Sequence, residues 1–102
     1  EVQILNRNGG ERIAEALGHK QVGILRSHGL ISTGSTVGET ISAFVTLERV
    51  TEALMKAPDA TPISAEAAAI ARDDLVSYRS LETAFDFLVS RHVGDASIVD
   101  ER

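Results

Sequence analysis

Apolar positions recur along the chain with two periods, and the switches between them mark out the elements. The stretch Asn8-Gly-Gly-Glu11 predicts a helix start, with Asn8 as cap and Glu11 as the returning half of a capping box. Ile13, Ala14, Ala16 and Leu17 follow as a short apolar face, and Gly18 stands where a C-terminal glycine belongs. The expected helix covers 9–17. Residues 21–26 read as a strand with Val22 and Ile24 on one face and Gly23 and Leu25 on the other. Both faces are apolar, which suits a central position in a sheet. Leu30 to Thr33 forms a second short β segment, closed by Gly34. The join Ser27-His28-Gly29 reads either as the turn of a strand pair or as a bulge in one long strand.

The period then becomes helical. Thr36-Val-Gly-Glu39 is a second capping box, and a long helix is expected from Val37 to Lys56. Ile41, Phe44, Val45, Leu47, Val50 and Leu54 give it a broad apolar face. Glu52 and Lys56 make an i,i+4 pair in the favourable order. Pro58 and Pro62 bracket a linker, and Ser64 caps an alanine-rich helix from Ala65 to Ser77. The apolar face of that helix is thin (Ala67, Ile70, Ala71, Leu75), so it needs a neighbour. Leu81 to His92 is a last helix, with Leu81, Ala84, Phe85, Leu88 and Val89 at helical spacing. From Gly94 onward few core residues occur.

Several helices and only two short strands make an incomplete inventory. A lone two-stranded ribbon is marginal in water and leaves open edges. The sheet lacks strands, and the chain opens on Glu1 in structured-looking sequence. Both features lead us to expect a fragment, or a chain that completes its sheet with a partner. The segments Val22–Leu25 and Leu30–Ile31 are the surfaces expected to be paired.

Composition narrows the function classes. The net charge is −5, and the ten basic residues never cluster. Nucleic-acid binders present a basic patch, because phosphate neutralisation dominates their affinity. Nucleic acid is therefore not an expected partner, nor is an anionic membrane surface. With no cysteine there is neither a disulfide framework nor a thiolate metal site, which is compatible with a cytoplasmic protein. No apolar run reaches the length of a membrane-spanning helix.

Candidate chemistry centres on His28. Imidazole is the commonest biological metal ligand. A catalytic zinc site needs about three protein ligands and an open position. The chain offers only His19, His28 and His92, without an HxH or HxxxH pair. By spacing alone His28 is either a metal ligand whose partners lie elsewhere or a turn histidine bonded to backbone. Gly29, Gly34 and Gly38 match no phosphate-binding pattern and suit turns and close packing. Ser27 lacks the GxSxG context of a nucleophile elbow. Glu48-Arg49 and Asp73-Asp74 read as solvated helix faces, and Tyr78 as a packing or capping residue.

Taken in order, His28-Gly29-Leu30, Gly34, Thr36-Val37, Glu39 and Leu47-Glu48-Arg49 resemble the second half of the class II aldolase/adducin family. The resemblance is good over 9–56, weaker over 62–78, and does not extend to 79–102. It implies an α/β fold, a fragment of an α/β/α sandwich around a largely antiparallel sheet, commonly assembled as a homo-oligomer. It also implies a divalent metal, typically zinc, held by three histidines. Two come from a close pair in the first half of the domain, and the third is the histidine of the HGL motif, His28. That first half also supplies an acid/base glutamate. The metal polarises a carbonyl in cleavage or epimerisation of sugar phosphates. Adducin-like members keep the fold as scaffold proteins. The expectation is a C-terminal part of such a domain, 1–102, inactive alone and without its own metal. Its partner is the missing N-terminal half or another copy of itself. A non-catalytic interaction module and a self-pairing half-domain are the alternatives.

Overall fold

The computed structural model describes residues 6–77 and 79–99. Helix α1 (Arg7–Leu17) is followed by strands β1 (Val22–Leu25) and β2 (Gly29–Ser32). Helices α2 (Val37–Lys56), α3 (Ala65–Ser77) and α4 (Ser80–His92) come next, and a short 3-10 turn, Ala96–Val99, ends the described chain. The architecture is mixed α/β, as the pattern predicts.

The first helix starts earlier than expected, because a different residue caps it. Asn6, in extended conformation, accepts the Gly9 N–H at 2.9 Å. Asn8 lies inside the helix, and Glu11 pairs with Arg7 one turn back instead of closing a capping box. The end is as predicted: Gly18 takes φ 55° and its N–H donates to the Ala14 carbonyl. An L residue with a side chain adopts that conformation reluctantly.

The two β segments form an antiparallel hairpin, with Val22 opposite Ser32 and Leu25 opposite Gly29. This excludes a bulge in one long strand. Among the described residues the sheet has only these two strands. The expectation that β1 is central is therefore not met, and Ile24 on it stays 67% exposed. Leu17 of α1 reaches the sheet at Gly23, where a Cβ would lie 3.4 Å from Leu17 Cδ1 and 3.3 Å from Ile31 Cγ2. Glycine lets helix and strand approach there.

Helix α2 runs over the predicted residues, capped by the Thr36 hydroxyl, which accepts the Glu39 N–H at 3.0 Å. Its packing differs from the predicted face. The buried positions are Gly38, Ser42 and Ala43. Gly38 packs on Phe85, which with Val89 makes up the buried residues of α4. Ile41, Phe44, Val50 and Leu54 were expected on a covered face and are instead exposed. Small residues on α2 let α4 come close, and the large ones are left without a second layer.

Helix α3 starts where expected, with Ser64 Oγ accepting the Ala67 N–H at 3.1 Å. It buries none of its residues. The neighbour its thin face needs is not supplied among the described residues beyond α4. Tyr78 lies outside the described residues.

The accessible surface is 8438 Å², whereas a compact monomer of this length exposes about 5,600 Å². The radius of gyration, 15.8 Å, likewise exceeds the ~13 Å of a compact domain. The molecule is an open arrangement with a small core of Ala43, Phe85 and Val89. No described helix is long and apolar enough to cross a membrane.

Candidate functional site

His28 sits in the hairpin turn that joins β1 to β2. Its backbone N–H donates to the Leu25 carbonyl at 3.0 Å, which closes a four-residue turn over Leu25, Arg26, Ser27 and His28. Ser27, third in that turn, takes φ 60°, and Gly29 takes φ 143°. A positive φ at the third position belongs to turns that normally favour glycine or asparagine there. Ser27 adopts it at a conformational cost, and Gly29 adopts its own without one. His28 is exposed between them. A hairpin turn projects its residues away from the strands, so the imidazole stands at the tip of the sheet.

The base of the same hairpin is fastened to α2. Gln21 Nε2 donates to Glu39 Oε1 at 2.9 Å. The other Glu39 oxygen accepts the Ser35 N–H at 2.8 Å and the Ser35 hydroxyl. Ser32 Oγ donates to the Thr40 carbonyl at 2.9 Å, and the Thr33 N–H closes on the Gln21 carbonyl at 2.8 Å. The Ser35 hydroxyl, then the Ser35 N–H, hold the Glu39 carboxyl below its ordinary pKa, with smaller help from Gln21 and Thr36. Sequence reasoning places Glu39 in the capping box and in the ordered motif string. The structure adds Ser35, four positions back, and Gln21, a link across 18 positions that no local pattern signals.

The three histidines do not converge. His19 follows α1, His92 ends α4, and His28 is at the hairpin tip. Among the described residues no group of three His, Asp or Glu side chains could hold a metal ion. A catalytic zinc needs about three protein ligands, so the described residues do not fit a complete metal site. His28 can supply at most one ligand to a site built with other residues. Arg79 pairs with the half-buried Glu82 at the start of α4, and the exposed pairs on the helices are Arg72 with Asp73 at 3.0 Å and Lys56 with Glu52 as predicted. Such pairs contribute little.

The family model described as Class II Aldolase and Adducin N-terminal domain matches residues 1–55. The match takes in α1, the hairpin with His28, and nearly all of α2, and leaves α3 and α4 outside it. No curated protein and no solved structure matches the chain. More than half of the chain is thus covered by one family model whose span contains the hairpin and its fastening to α2, and the chain belongs to the class II aldolase and adducin N-terminal domain family.

Proposed function

We propose that this chain is the C-terminal part of a metal-dependent aldolase- or epimerase-type domain, acting on small sugar phosphates or related carbonyl compounds. His28 is then one ligand of a divalent metal, zinc by type, whose other ligands come from outside this chain. The observation that carries the reading is the position of His28. It lies at the exposed tip of a hairpin whose base is locked to α2 through Gln21 and Glu39. A ligand must be held to within about half an ångström, and a turn anchored at both strand ends does that better than a free loop. The chain alone is inactive, because one imidazole does not make a catalytic site. Assaying the purified 102-residue chain with zinc against a panel of ketose and aldose phosphates tests this. No turnover is expected. Robust retro-aldol cleavage or epimerisation by the chain alone would refute the reading.

A second reading has its own support. The two-stranded sheet has open edges among the described residues, and large apolar residues such as Ile24 and Phe44 lie exposed. Those features suit an adducin-like interaction module or a half-domain that pairs with a second copy of itself. The same assay, run alongside sedimentation, separates the readings by whether activity or association accompanies complementation with the two-histidine half.

A further inference from the structure

The motif Asn8-Gly-Gly-Glu11 is left without its expected role. Asn6 caps α1 and Glu11 pairs with Arg7, so Asn8 stands exposed in the first turn, followed directly by Gly9. Asparagine before glycine is the pairing most prone to lose its side-chain amide unaided, because no Cβ on the next residue hinders ring closure. The chain has two asparagines, Asn6 and Asn8, and only Asn8 precedes a glycine.

The reaction needs the Gly9 nitrogen. Its N–H proton passes to a solvent base, the nitrogen attacks Asn8 Cγ, and the Cγ–Nδ2 bond breaks with release of ammonia. Water then opens the cyclic imide at either carbonyl, leaving aspartate or isoaspartate. In the folded turn that nitrogen is held: its N–H donates to Asn6 Oδ1 at 2.9 Å, and Gly9 is buried.

The lock is a local one. The first backbone bond of the helix, from the Gly10 N–H to the Asn6 carbonyl, is long at 3.4 Å, against the usual about 2.9–3.0 Å. Gly9 and Gly10 stand in succession, and glycine favours a helix less than any residue but proline. Helix α1 has 11 residues, fewer than the about 12–15 a helix needs to persist alone. Its half-buried side chains, Ile13 and Leu17, lie beyond the first turn. That turn can open while they keep their places.

We propose that Asn8 is a site of spontaneous deamidation and isoaspartate formation, gated by the Asn6 cap. Opening of the first turn frees the Gly9 nitrogen, and the cap holds the reaction back. Isoaspartate at position 8 lengthens the backbone by one methylene and carries Gly9 out of register with Asn6. The modification is therefore a slow, irreversible release of the first turn of α1.

The test is peptide mapping of the 102-residue chain aged at mildly alkaline pH, folded and in urea. Trypsin cuts after Arg7 and Arg12, so residues 8–12 leave as one peptide, separate from Asn6. Isoaspartate is expected in that peptide and not at Asn6. Folded Asn6→Ala is expected to react about fivefold faster than the natural chain, the factor by which loss of a cap shifts opening. In urea the two should react alike. Asn6→Asp keeps an accepting oxygen and is expected to return to the natural rate. An intact Asn8 in the aged folded chain overturns the proposal, as does equal modification at Asn6. Equal folded rates for the natural chain and Asn6→Ala overturn the gate, and so does Asn6→Asp reacting as fast as Asn6→Ala. After ageing, the Gly9 and Gly10 amides should exchange hydrogen faster in the natural chain and unchanged in Asn8→Gln. Unchanged exchange in both would contradict release of the turn.

Discussion

Gly38 lies directly against the ring of Phe85. A Cβ at Gly38 would come within 2.9 Å of Phe85 Cδ1 and 3.1 Å of Cγ. This contact sets how closely α2 and α4 approach, and it is the centre of a small core.

Gly38→Ala forces a methyl group into that contact. Overpacking of a filled site costs roughly 1–3 kcal/mol, and urea denaturation should show a loss in that range. Gly10→Ala is the contrasting substitution. A Cβ there meets nothing within 4 Å, so the change should be neutral or stabilising by up to about 1 kcal/mol through helix propensity. Equal effects at the two glycines would disprove the packing account.

The start of α1 yields a test of its cap. Asn6→Ala removes the acceptor for the Gly9 N–H and should cost about 1 kcal/mol. Asn8→Ala, at the residue the sequence pattern nominates, should change stability by a few tenths at most. The two urea midpoints decide between the residues.

Stability should fall with acid through Glu39. Its carboxyl ionises below the ordinary value of 4.5 because Ser35 donates to it twice. The folded state therefore binds the proton less readily than the unfolded chain does. The contribution is complete above pH 4.5 and disappears as pH drops through the lower, folded value. Thermal melts from pH 6 down to pH 3 should show a falling midpoint whose slope is reduced in Glu39→Gln. Identical slopes in the two proteins would show that the Ser35–Glu39 contacts do not form in solution.

The large exposed surface predicts association. With apolar side chains such as Ile24, Phe44 and Met55 uncovered, a second copy that covers them adds stability by mass action. The melting temperature should rise over a hundredfold increase in protein concentration, and Ile24→Lys with Phe44→Lys should weaken that rise. A concentration-independent melting temperature would argue against self-pairing.

Local signals in this chain proved more legible than long-range ones. Thr36, Ser64 and Gly18 mark helix ends with side chains or conformations that act within three or four residues, and each does so in the structure. The Gly29 interruption leaves a hairpin and a bulge equally open in the sequence, and the pairing of Val22 with Ser32 is what decides for the hairpin. Burial was harder. A helical stripe of Ile41, Phe44, Val50 and Leu54 states that a face can be covered, not that a partner is present, and the buried positions of α2 are instead Gly38, Ser42 and Ala43. Asn6 was overlooked because Asn8, two residues later, has equal capping chemistry and a glutamate in register. His28 was legible as an ordered motif, whereas the link from Glu39 to Gln21 depends on how the hairpin folds back over α2.

The most direct test of the account is metal content in the complete gene product, measured by mass spectrometry after dialysis, for the natural protein and for His28→Ala. Substitutions of residues that merely support a metal ligand cost about 10–100-fold in affinity, so loss of a ligand itself should cost at least that. The account predicts close to one equivalent of divalent metal in the natural protein and almost none in His28→Ala, with the fold unchanged by circular dichroism. Metal retained in full by His28→Ala, or absent from the natural protein after reconstitution with zinc, would contradict a ligand role for His28.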